Sequence, residues 1–388
     1  KAIPAYDAGQ QRLTLTLEQS CPPTPGQASK LPFHIPVEIA LLDAAGNALP
    51  VTLEGEPASG ANHRMLALRE SSQVFNFTGV AQAPLVSLLR GFSAPVKLDI
   101  ERSNEELAFL FAHDPDPFNR WDAGQTLAIN TLLSLVSGLQ CGVTPDLEPA
   151  FVQAFRTTLE HPGLDPALIT QALTLPAESY LADQCETVDV DAIHAAREFV
   201  RRSLAEQLKD SFAALYRRHD HREPYRFDAA HMAQRSLKNL CLGYLAETGD
   251  DEARERCLKQ IETANNMTDT LAALSTLVQH DWPERQAPLD RFYTQWQHDP
   301  QVVDKWFSLQ AGSRLPDALD KVRQLMQHPA FRLTNPNKVR ALVGRFSMGN
   351  PVRFHAADGQ GYRFLADQVI ELDRINPQMA ARLVSSLS

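Results

Sequence analysis

Residues 13–18 read Leu-Thr-Leu-Thr-Leu-Glu, and this stretch decides the fold of the first part of the chain. Apolar and polar side chains alternate strictly along it, so an extended backbone places the leucines on one face and the polar residues on the other. A period of two residues is typical of a β-strand that is buried on one face only. The stretch therefore predicts a half-buried strand.

The same alternation recurs as far as about residue 100. It is carried by five further apolar sets: Ile35, Val37, Ile39 and Leu41; Val51 and Leu53; Leu66 and Leu68; Phe75 and Phe77; and Val96, Leu98 and Ile100. Turn residues such as Gly46 and Gly60 separate several of these segments. About seven short strands in about 100 residues, with no helical period, predict an immunoglobulin-like β-sandwich.

After Arg102 the hydrophobic pattern takes on the period of a helix. Within residues 191–217 the apolar side chains follow one helical face, which predicts a single long helix. Helix starts are marked by a polar residue followed by proline: Thr144-Pro145, Asp165-Pro166, Asp299-Pro300, Asn335-Pro336 and Asn376-Pro377. The polar side chain accepts a free backbone N–H there, and proline at that position loses no hydrogen bond.

We therefore expect a multidomain chain in two parts. Residues 1–102 are predicted to form an all-β immunoglobulin-like sandwich. Residues 103–388 are predicted to form an all-α domain of irregular, solenoid-like helical repeats, because no fixed repeat length is found in them.

The composition excludes several classes of protein. Apolar residues make up 44% and charged residues 22% of the 388 residues, which is typical of a globular chain and not of a disordered one. The formal net charge of −10 argues against a nucleic-acid partner, because binding to a phosphate backbone requires clustered cations. The longest charge-free stretch, residues 123–145, contains polar side chains and predicts a buried helix, so no membrane association is expected.

The cysteines and the start of the chain favour a cytoplasmic location. The five cysteines are widely and irregularly spaced and form no CxxC pair, as expected for free thiols in a reducing compartment. No positively charged start precedes an apolar run, so no signal peptide is expected.

A search for catalytic motifs predicts no self-sufficient active site. None of the twelve histidines is followed by glutamate, so the zinc-binding HExxH motif is absent. His219 and His221 lie two residues apart and do not share a helix face, which favours a solvated turn. Residues 355–362 predict a turn between helices, in which Gly359 and Gly361 allow positive φ and Asp358 can cap the next helix. No catalytic residue and no metal ligand is predicted.

Several motifs, spread in order over nearly the whole chain, resemble bacterial aminopeptidase N, a zinc aminopeptidase of the gluzincin class. They are Thr-Pro-Gly-Gln at 24–27, Pro-Phe-His-Ile-Pro at 32–36, Phe-Ser-Ala-Pro-Val-Lys-Leu at 92–98, Phe-Asn-Arg-Trp-Asp-Ala at 118–123, Asn-Pro-Asn-Lys-Val-Arg at 335–340, Asn-Pro at 350–351, Phe-His-Ala at 354–356, Asp-Gly at 358–359, Gly-Tyr at 361–362 and Asn-Pro-Gln-Met-Ala-Ala-Arg-Leu at 376–383. The resemblance is to the β-sandwich and C-terminal helical domains of that family.

The departures from the family define what the resemblance implies. The family carries HExxH and a glycine-rich exopeptidase motif in a domain ahead of the sandwich, and it continues for a few helices beyond the position of Ser388. The resemblance therefore implies the non-catalytic C-terminal portion of a zinc-dependent aminopeptidase that removes N-terminal amino acids from peptides. It implies no cofactor in this segment, zinc in the full-length enzyme, and three kinds of partner: the catalytic domain, the N-terminal domain and peptide substrates.

The resemblance also implies three substrate-binding residues, Arg340, Gln378 and Arg382, facing the cavity that the helical domain encloses. Gln378 and Arg382 lie four residues apart, so a helix starting at 376–377 places them on one face. A guanidinium and an amide there can hold the backbone or the carboxylate of a peptide. The other interpretation is that these side chains cap or bridge neighbouring helices.

Two alternatives from other classes stay open. In the first, the chain is a standalone helical scaffold or peptide-binding module without hydrolytic activity. Irregular helical stacks favour this reading because they offer concave surfaces. A hydrolase that uses scattered histidines and carboxylates is the third reading, and the lack of any pair at a usable spacing argues against it.

Overall fold

The computed structural model describes residues 1–57, 60–221 and 223–387. The chain divides into two compact units. The first contains Lys1–Thr131 and Leu147–Leu175, and the second contains Leu132–Asp146 and Pro176–Ser388.

The first unit begins with seven strands: β1 Ala2–Asp7, β2 Arg12–Glu18, β3 Ile35–Leu42, β4 Ala48–Leu49, β5 Arg64–Leu68, β6 Ser72–Phe77 and β7 Leu85–Leu88. They form one sheet in the order β1-β2-β6 and a second in the order β4-β3-β5, in which β7 also pairs with β3. All the pairings are antiparallel. The predicted alternation of β2 is confirmed, because Leu13, Leu15 and Leu17 are buried and the residues between them are not.

Three details of the strand prediction are wrong. Residues 96–100 form no ladder, and the Asp99 carbonyl accepts a single backbone hydrogen bond, from the Ala2 N–H at 2.7 Å. Residues 51–53 contribute only an isolated bridge between Leu53 and Phe77. Strands β1 and β7 carry no alternation long enough to be noticed in the sequence, and backbone pairing with β2 and β3 defines them.

Four helices complete the description of the first unit: α1 Asn104–His113, α2 Pro117–Gln140, α3 Pro149–Leu159 and α4 Pro166–Ala172, with the unit boundary falling inside α2. Polar contacts tie the first helices to β7 and the residues after it. Arg90 forms an ion pair with the buried Asp114 at 3.0 Å. The Asn119 amide donates to the Leu88 carbonyl at 2.9 Å. The predicted domain boundary after Arg102 stays a prediction.

The second unit contains fourteen further helices in the described residues: α5 Glu178–Ala182, α6 Val190–Gln207, α7 Lys209–His219, α8 Ala229–Ala246, α9 Asp251–Thr263, α10 Met267–Leu277, α11 Gln286–Trp296, α12 Pro300–Ala311, α13 Ala318–Met326, α14 Pro336–Val339, α15 Arg345–Gly349, α16 Pro351–Phe354, α17 Gln360–Asp373 and α18 Pro377–Val384. A π-helical turn, Arg340–Gly344, joins α14 to α15 without a break.

Four of the five predicted cap-proline starts are confirmed, at α4, α12, α14 and α18. The fifth, Thr144-Pro145, is wrong, because α3 begins at Pro149. A residue before proline is held out of the helical region, so Glu148 could not continue a helix that began at Pro145. The chain stays irregular until the second proline starts the helix.

The single helix predicted over residues 191–217 is also wrong. Leu208 has φ −117° and ψ 17°, which ends α6 and starts α7 in a new direction. Leu208 is itself buried, and beyond it the Phe212 ring stacks on Tyr244 of α8 with centroids 4.7 Å apart. Both segments contact α8, and the shared hydrophobic period does not reveal the break between them.

Candidate functional site

Two of the three predicted substrate-binding residues, Arg340 and Arg382, lie at one pocket of about 380 Å³ in the second unit. Arg340 and Arg382 line it together with Arg345, which the sequence did not single out. Met348, Met379 and Leu383 contribute apolar surface to its lining. We call this the guanidinium pocket. Its lining, which lies entirely within the described residues, contains three guanidinium groups and no carboxylate.

Local sequence explains how the pocket is built. The π-helical turn begins at Arg340 and ends just before Arg345, so both arginines belong to one continuous helical stretch. Such π-turns are rare and often occur at functional sites. Arg382 comes from α18, which starts where the Asn376 side chain accepts the Met379 N–H at 3.1 Å. Buried Met379 and Leu383 anchor that helix, which leaves Arg382 exposed.

The pocket arginines have few partners in the protein. Arg340 donates from Nη1 to the Asn337 side-chain oxygen at 3.0 Å, which leaves donors free. Within the described part of the chain, the Arg382 guanidinium has no hydrogen bond or ion pair. Guanidinium groups without carboxylate partners favour an anionic ligand, because the group cannot lose its charge.

Gln378 lies on α18 and is exposed, but it does not line the guanidinium pocket. The structure therefore brings Arg340 and Arg382 together and leaves Gln378 outside that pocket. The role of all three residues in substrate binding stays a prediction.

A second pocket, of about 530 Å³, is lined by an ion-pair network that the sequence analysis missed. Glu247 accepts from Arg201 at 2.8 Å and from Arg314 at 2.9 Å. Arg314 also pairs with Glu198. We call this pocket the charged cleft. The ion-pair network joins two residues of α6, the residue that follows α8 and the segment after α12, so no short sequence motif carries it.

Burial and charge oppose each other in this network. Burial alone would raise the pKa of the Glu247 carboxyl, but the guanidiniums of Arg201 and Arg314 outweigh it and lower that pKa. His280 lines the same cleft and stacks on Trp282 with ring centroids 4.5 Å apart. Burial lowers the pKa of His280 to about 4, so the ring is neutral at pH 7.

The turn residues at 355–362 are partly as predicted. Asp358 accepts the backbone N–H of Gln360 at 2.9 Å, and Gly359 has φ 67°. Gly361 does not take the positive φ that glycine allows, because it lies inside α17 and not in the predicted turn. Glycine is needed there for another reason: an added Cβ would overlap the carbonyl of Phe354.

Neither a metal-ligand group nor a membrane-spanning helix is found in the described residues. They contain no group of three His, Cys, Asp or Glu side chains placed to hold a metal ion. None of the helices in the described ranges has the length and apolar character needed to cross a bilayer. His219 and His221 stand at the end of α7 with ring centroids 6.4 Å apart. All five cysteines are free thiols.

Two family descriptions match the chain, one over the part with strands and one over the part with helices. "Domain of unknown function (DUF3458) Ig-like fold" matches residues 1–101, and "Domain of unknown function (DUF3458_C) ARM repeats" matches residues 104–388. The chain belongs to this DUF3458 family. The predicted fold class, an immunoglobulin-like sandwich followed by helical repeats, is thereby confirmed.

Curated relatives carry one name. Aminopeptidase N of Escherichia coli (strain K12) is 39% identical over 382 residues, covering 98% of this chain and 43% of the relative. Aminopeptidase N of Haemophilus influenzae is 41% identical over 383 residues, covering 99% and 43%. Aminopeptidase N of Caulobacter vibrioides is 39% identical over 323 residues, covering 83% and 37%.

A solved structure has the same fold. The crystal structure of Legionella pneumophila aminopeptidase A in complex with aspartic acid matches with a TM-score of 0.79 at 30% identity. The match covers 99% of this chain and 43% of the Legionella chain. These matches confirm the resemblance to the C-terminal part of aminopeptidase N. The chain spans less than half the length of the relatives it matches.

Proposed function

We propose that this chain is the non-catalytic C-terminal portion of a cytoplasmic, zinc-dependent aminopeptidase that removes N-terminal amino acids from peptides. Its helical domain encloses the substrate cavity and restricts access to a catalytic domain that supplies the zinc. Its sandwich, residues 1–102, spaces the helical domain, residues 103–388, from the rest of the enzyme. The partners are the catalytic and N-terminal domains and the peptide substrates, with no nucleic acid and no membrane.

The observation that carries the proposal is the guanidinium pocket on a chain with this ancestry. Three guanidiniums without a carboxylate stand over an apolar floor, in a chain whose net charge is −10. Such a surface attracts the negatively charged end of a peptide and not its ammonium end. Arg340 and Arg382 are the proposed substrate-binding residues here, and Gln378 binds from outside the pocket on the same helix as Arg382.

The proposed role affects binding more than chemistry. Contacts far from the scissile bond hold the ground state and the transition state about equally, which lowers KM without raising kcat. Enclosure of the cavity excludes water and bulky substrates from the reacting carbonyl. No catalytic step is assigned to a residue of this chain.

Zinc content and hydrolysis test the proposal. The chain is purified alone, and again as the product of its full reading frame, and both are assayed with an aminoacyl 4-nitroanilide. We expect no stoichiometric zinc and no turnover from the chain alone, and both from the full product if the reading frame carries HExxH. Stoichiometric zinc together with turnover from the 388 residues alone would contradict the proposal.

A standalone peptide-binding module is the second candidate, and one observation favours it. The guanidinium pocket is lined by residues of this chain, which could therefore bind an anionic peptide end by itself. A reading frame that starts at Lys1, together with peptide affinity that is lost in Arg382→Ala, would select this candidate over the enzyme.

A further inference from the structure

Arg345 occupies an unusual position for a charged side chain. Its guanidinium is seated between the backbones of Gly312 and Gly349. A Cβ built on Gly312 would lie 2.8 Å from Arg345 Nε, and one built on Gly349 would lie 2.5 Å from Nη1. Only residues without a side chain leave this space, so the two glycines form a slot for the planar group.

Arg345 is exposed, and the slot receives its guanidinium without pairing its N–H donors. Within the described residues, Arg345 has no ion pair and no side-chain hydrogen bond. Its group lines the guanidinium pocket and also the charged cleft, so it stands in the wall that the two pockets share. In the cleft Arg201 and Arg314 are already paired with carboxylates, whereas Arg345 keeps its donors free.

We propose that Arg345 is a substrate-binding residue that recognises the free α-carboxylate at the C-terminus of a short peptide. This inference rests on the proposed function and deepens it, because it assigns the anion-binding step to a residue outside the predicted set. A planar guanidinium forms two parallel N–H···O bonds to a carboxylate, and less side-chain entropy is lost per bond than with a lysine. Arg340 and Arg382 then add charge around the same anion, and the apolar floor receives the last side chain.

Recognition of the C-terminal carboxylate predicts which peptides bind more tightly. A peptide with a free C-terminus binds more tightly than the same peptide with a C-terminal amide, because the amide offers one neutral acceptor where the acid offers two charged ones. Removing the Arg345 guanidinium removes this discrimination. The loss of one charge-assisted pair corresponds to about a tenfold change in affinity.

The glycine slot supplies a test that leaves the charge in place. In Gly349→Ala the new methyl group displaces the end of a flexible side chain and not the backbone, so the fold tolerates it while the guanidinium must move. Gly138→Ala is the matched control, because its Cβ would meet nothing nearer than 3.7 Å. Arg374→Gln is the control for removing an exposed arginine elsewhere.

The experiment measures KM for hydrolysis of Ala-Ala-Leu and of its C-terminal amide by the product of the full reading frame, because these contacts are expected to act on KM. We expect wild type and both controls to prefer the acid about tenfold in KM, and Arg345→Gln and Gly349→Ala to bind acid and amide alike. Arg345→Lys is a second variant in case Arg345→Gln fails to fold, and it should keep part of the preference.

The outcomes separate this inference from the proposed function. If Arg345→Gln and Gly349→Ala keep the preference while Arg340→Gln and Arg382→Gln weaken binding, the role of Arg345 is overturned and the proposed function stands. If none of the four variants changes KM for either peptide, both are overturned. A wild-type protein that binds acid and amide alike also overturns the role of Arg345.

Discussion

The Arg314 guanidinium donates a hydrogen bond to the Glu247 carboxylate at 2.9 Å, across 67 positions of sequence. The Glu247 side chain is only 4% exposed, and Arg201 contacts its other oxygen at 2.8 Å. One buried carboxylate therefore links α6, α8 and the segment after α12. The contact fixes the wall of the charged cleft, and the pH response of the second unit should report on it.

Glu247→Gln removes the charge that both guanidiniums face. Because Arg201 then loses its 2.8 Å carboxylate contact and Arg314 keeps only its pair with Glu198, we expect the free energy of unfolding at pH 7 to fall by about 2 kcal/mol. The folded-state pKa of Glu247 lies below its ordinary value of 4.5, so its stabilisation is complete above pH 4.5 and is lost as the pH falls through the lower value.

Urea unfolding of wild type and Glu247→Gln between pH 3 and pH 7 measures this difference. The gap between them should stay constant down to about pH 4.5 and narrow below it. Glu206→Gln, at an exposed position of α6, is the control and should leave stability nearly unchanged. A gap that widens in acid contradicts the assignment.

His280 contributes a pH dependence in a different range. Its pKa is lowered mainly by burial, from 6.5 to about 4, with Arg314 and Arg201 lowering it further and Glu247 opposing them. The unfolded chain therefore binds a proton at a higher pH than the folded chain. Stability from this residue is complete above pH 6.5 and falls until about pH 4, by roughly 3 kcal/mol in total.

Replacement by phenylalanine keeps a ring against Trp282 and removes the titration. We expect the free energy of unfolding of His280→Phe to vary less between pH 7.5 and pH 4.5 than that of wild type. Chemical denaturation at those two pH values gives the comparison. An equal change in the free energy of unfolding for the two proteins would contradict the lowered pKa of His280.

Arg120 tests how the first helices are held. The side chain is 2% exposed and donates to the carbonyls of Ala112 at 2.7 Å and Asp114 at 2.9 Å, at the end of α1. Arg120→Met leaves these buried acceptors unpaired, so we expect a destabilisation of about 3 kcal/mol.

Hydrogen–deuterium exchange locates that effect. Exchange of the amides of α1 should accelerate at least tenfold in Arg120→Met, while α12 in the other unit keeps its protection. Arg202→Met, at an exposed position of α6, is the control. Unchanged exchange in α1 would show that water replaces the arginine without cost.

Two nearby glycines are expected to respond differently to alanine. Gly359 has φ 67° and open space around it, so Gly359→Ala should cost only about 1 kcal/mol. Gly361→Ala drives a methyl group into the backbone carbonyl of Phe354, which cannot turn away as a side chain can. We expect a loss of several kcal/mol there. Thermal unfolding ranks the two, and equal midpoints would contradict the close approach.

The sequence pattern correctly predicted those strands and helix starts that depend on neighbouring residues. The alternation at 13–18 identified β2, and four cap-proline pairs identified helix starts, because each depends on neighbouring residues only. Strand β1 was missed because five of its six residues are not buried, so its backbone pairing with β2 leaves no hydrophobic period. The break at Leu208 was missed because it arises from packing on a distant helix.

The sites show the same division. Arg340 and Arg382 were named by resemblance, and the fold places them at one pocket. Arg345 and Glu247 were missed, because glycine backbones in the first case and two distant arginines in the second define their surroundings. The glycines beside Arg345, Gly312 and Gly349, are visible in the sequence. They lie far apart along the chain, so no local pattern connects both of them with Arg345.

The measurement that tests the proposed role most directly is KM for hydrolysis of Ala-Ala-Leu by the product of the full reading frame, compared between wild type and the double variant Arg340→Gln/Arg382→Gln. If the guanidinium pocket faces the substrate, KM should be at least tenfold higher in the double variant than in wild type, with the thermal stability of the protein unchanged. Equal KM values for the two proteins would contradict a substrate-facing pocket and would leave the arginines as surface residues of a structural domain.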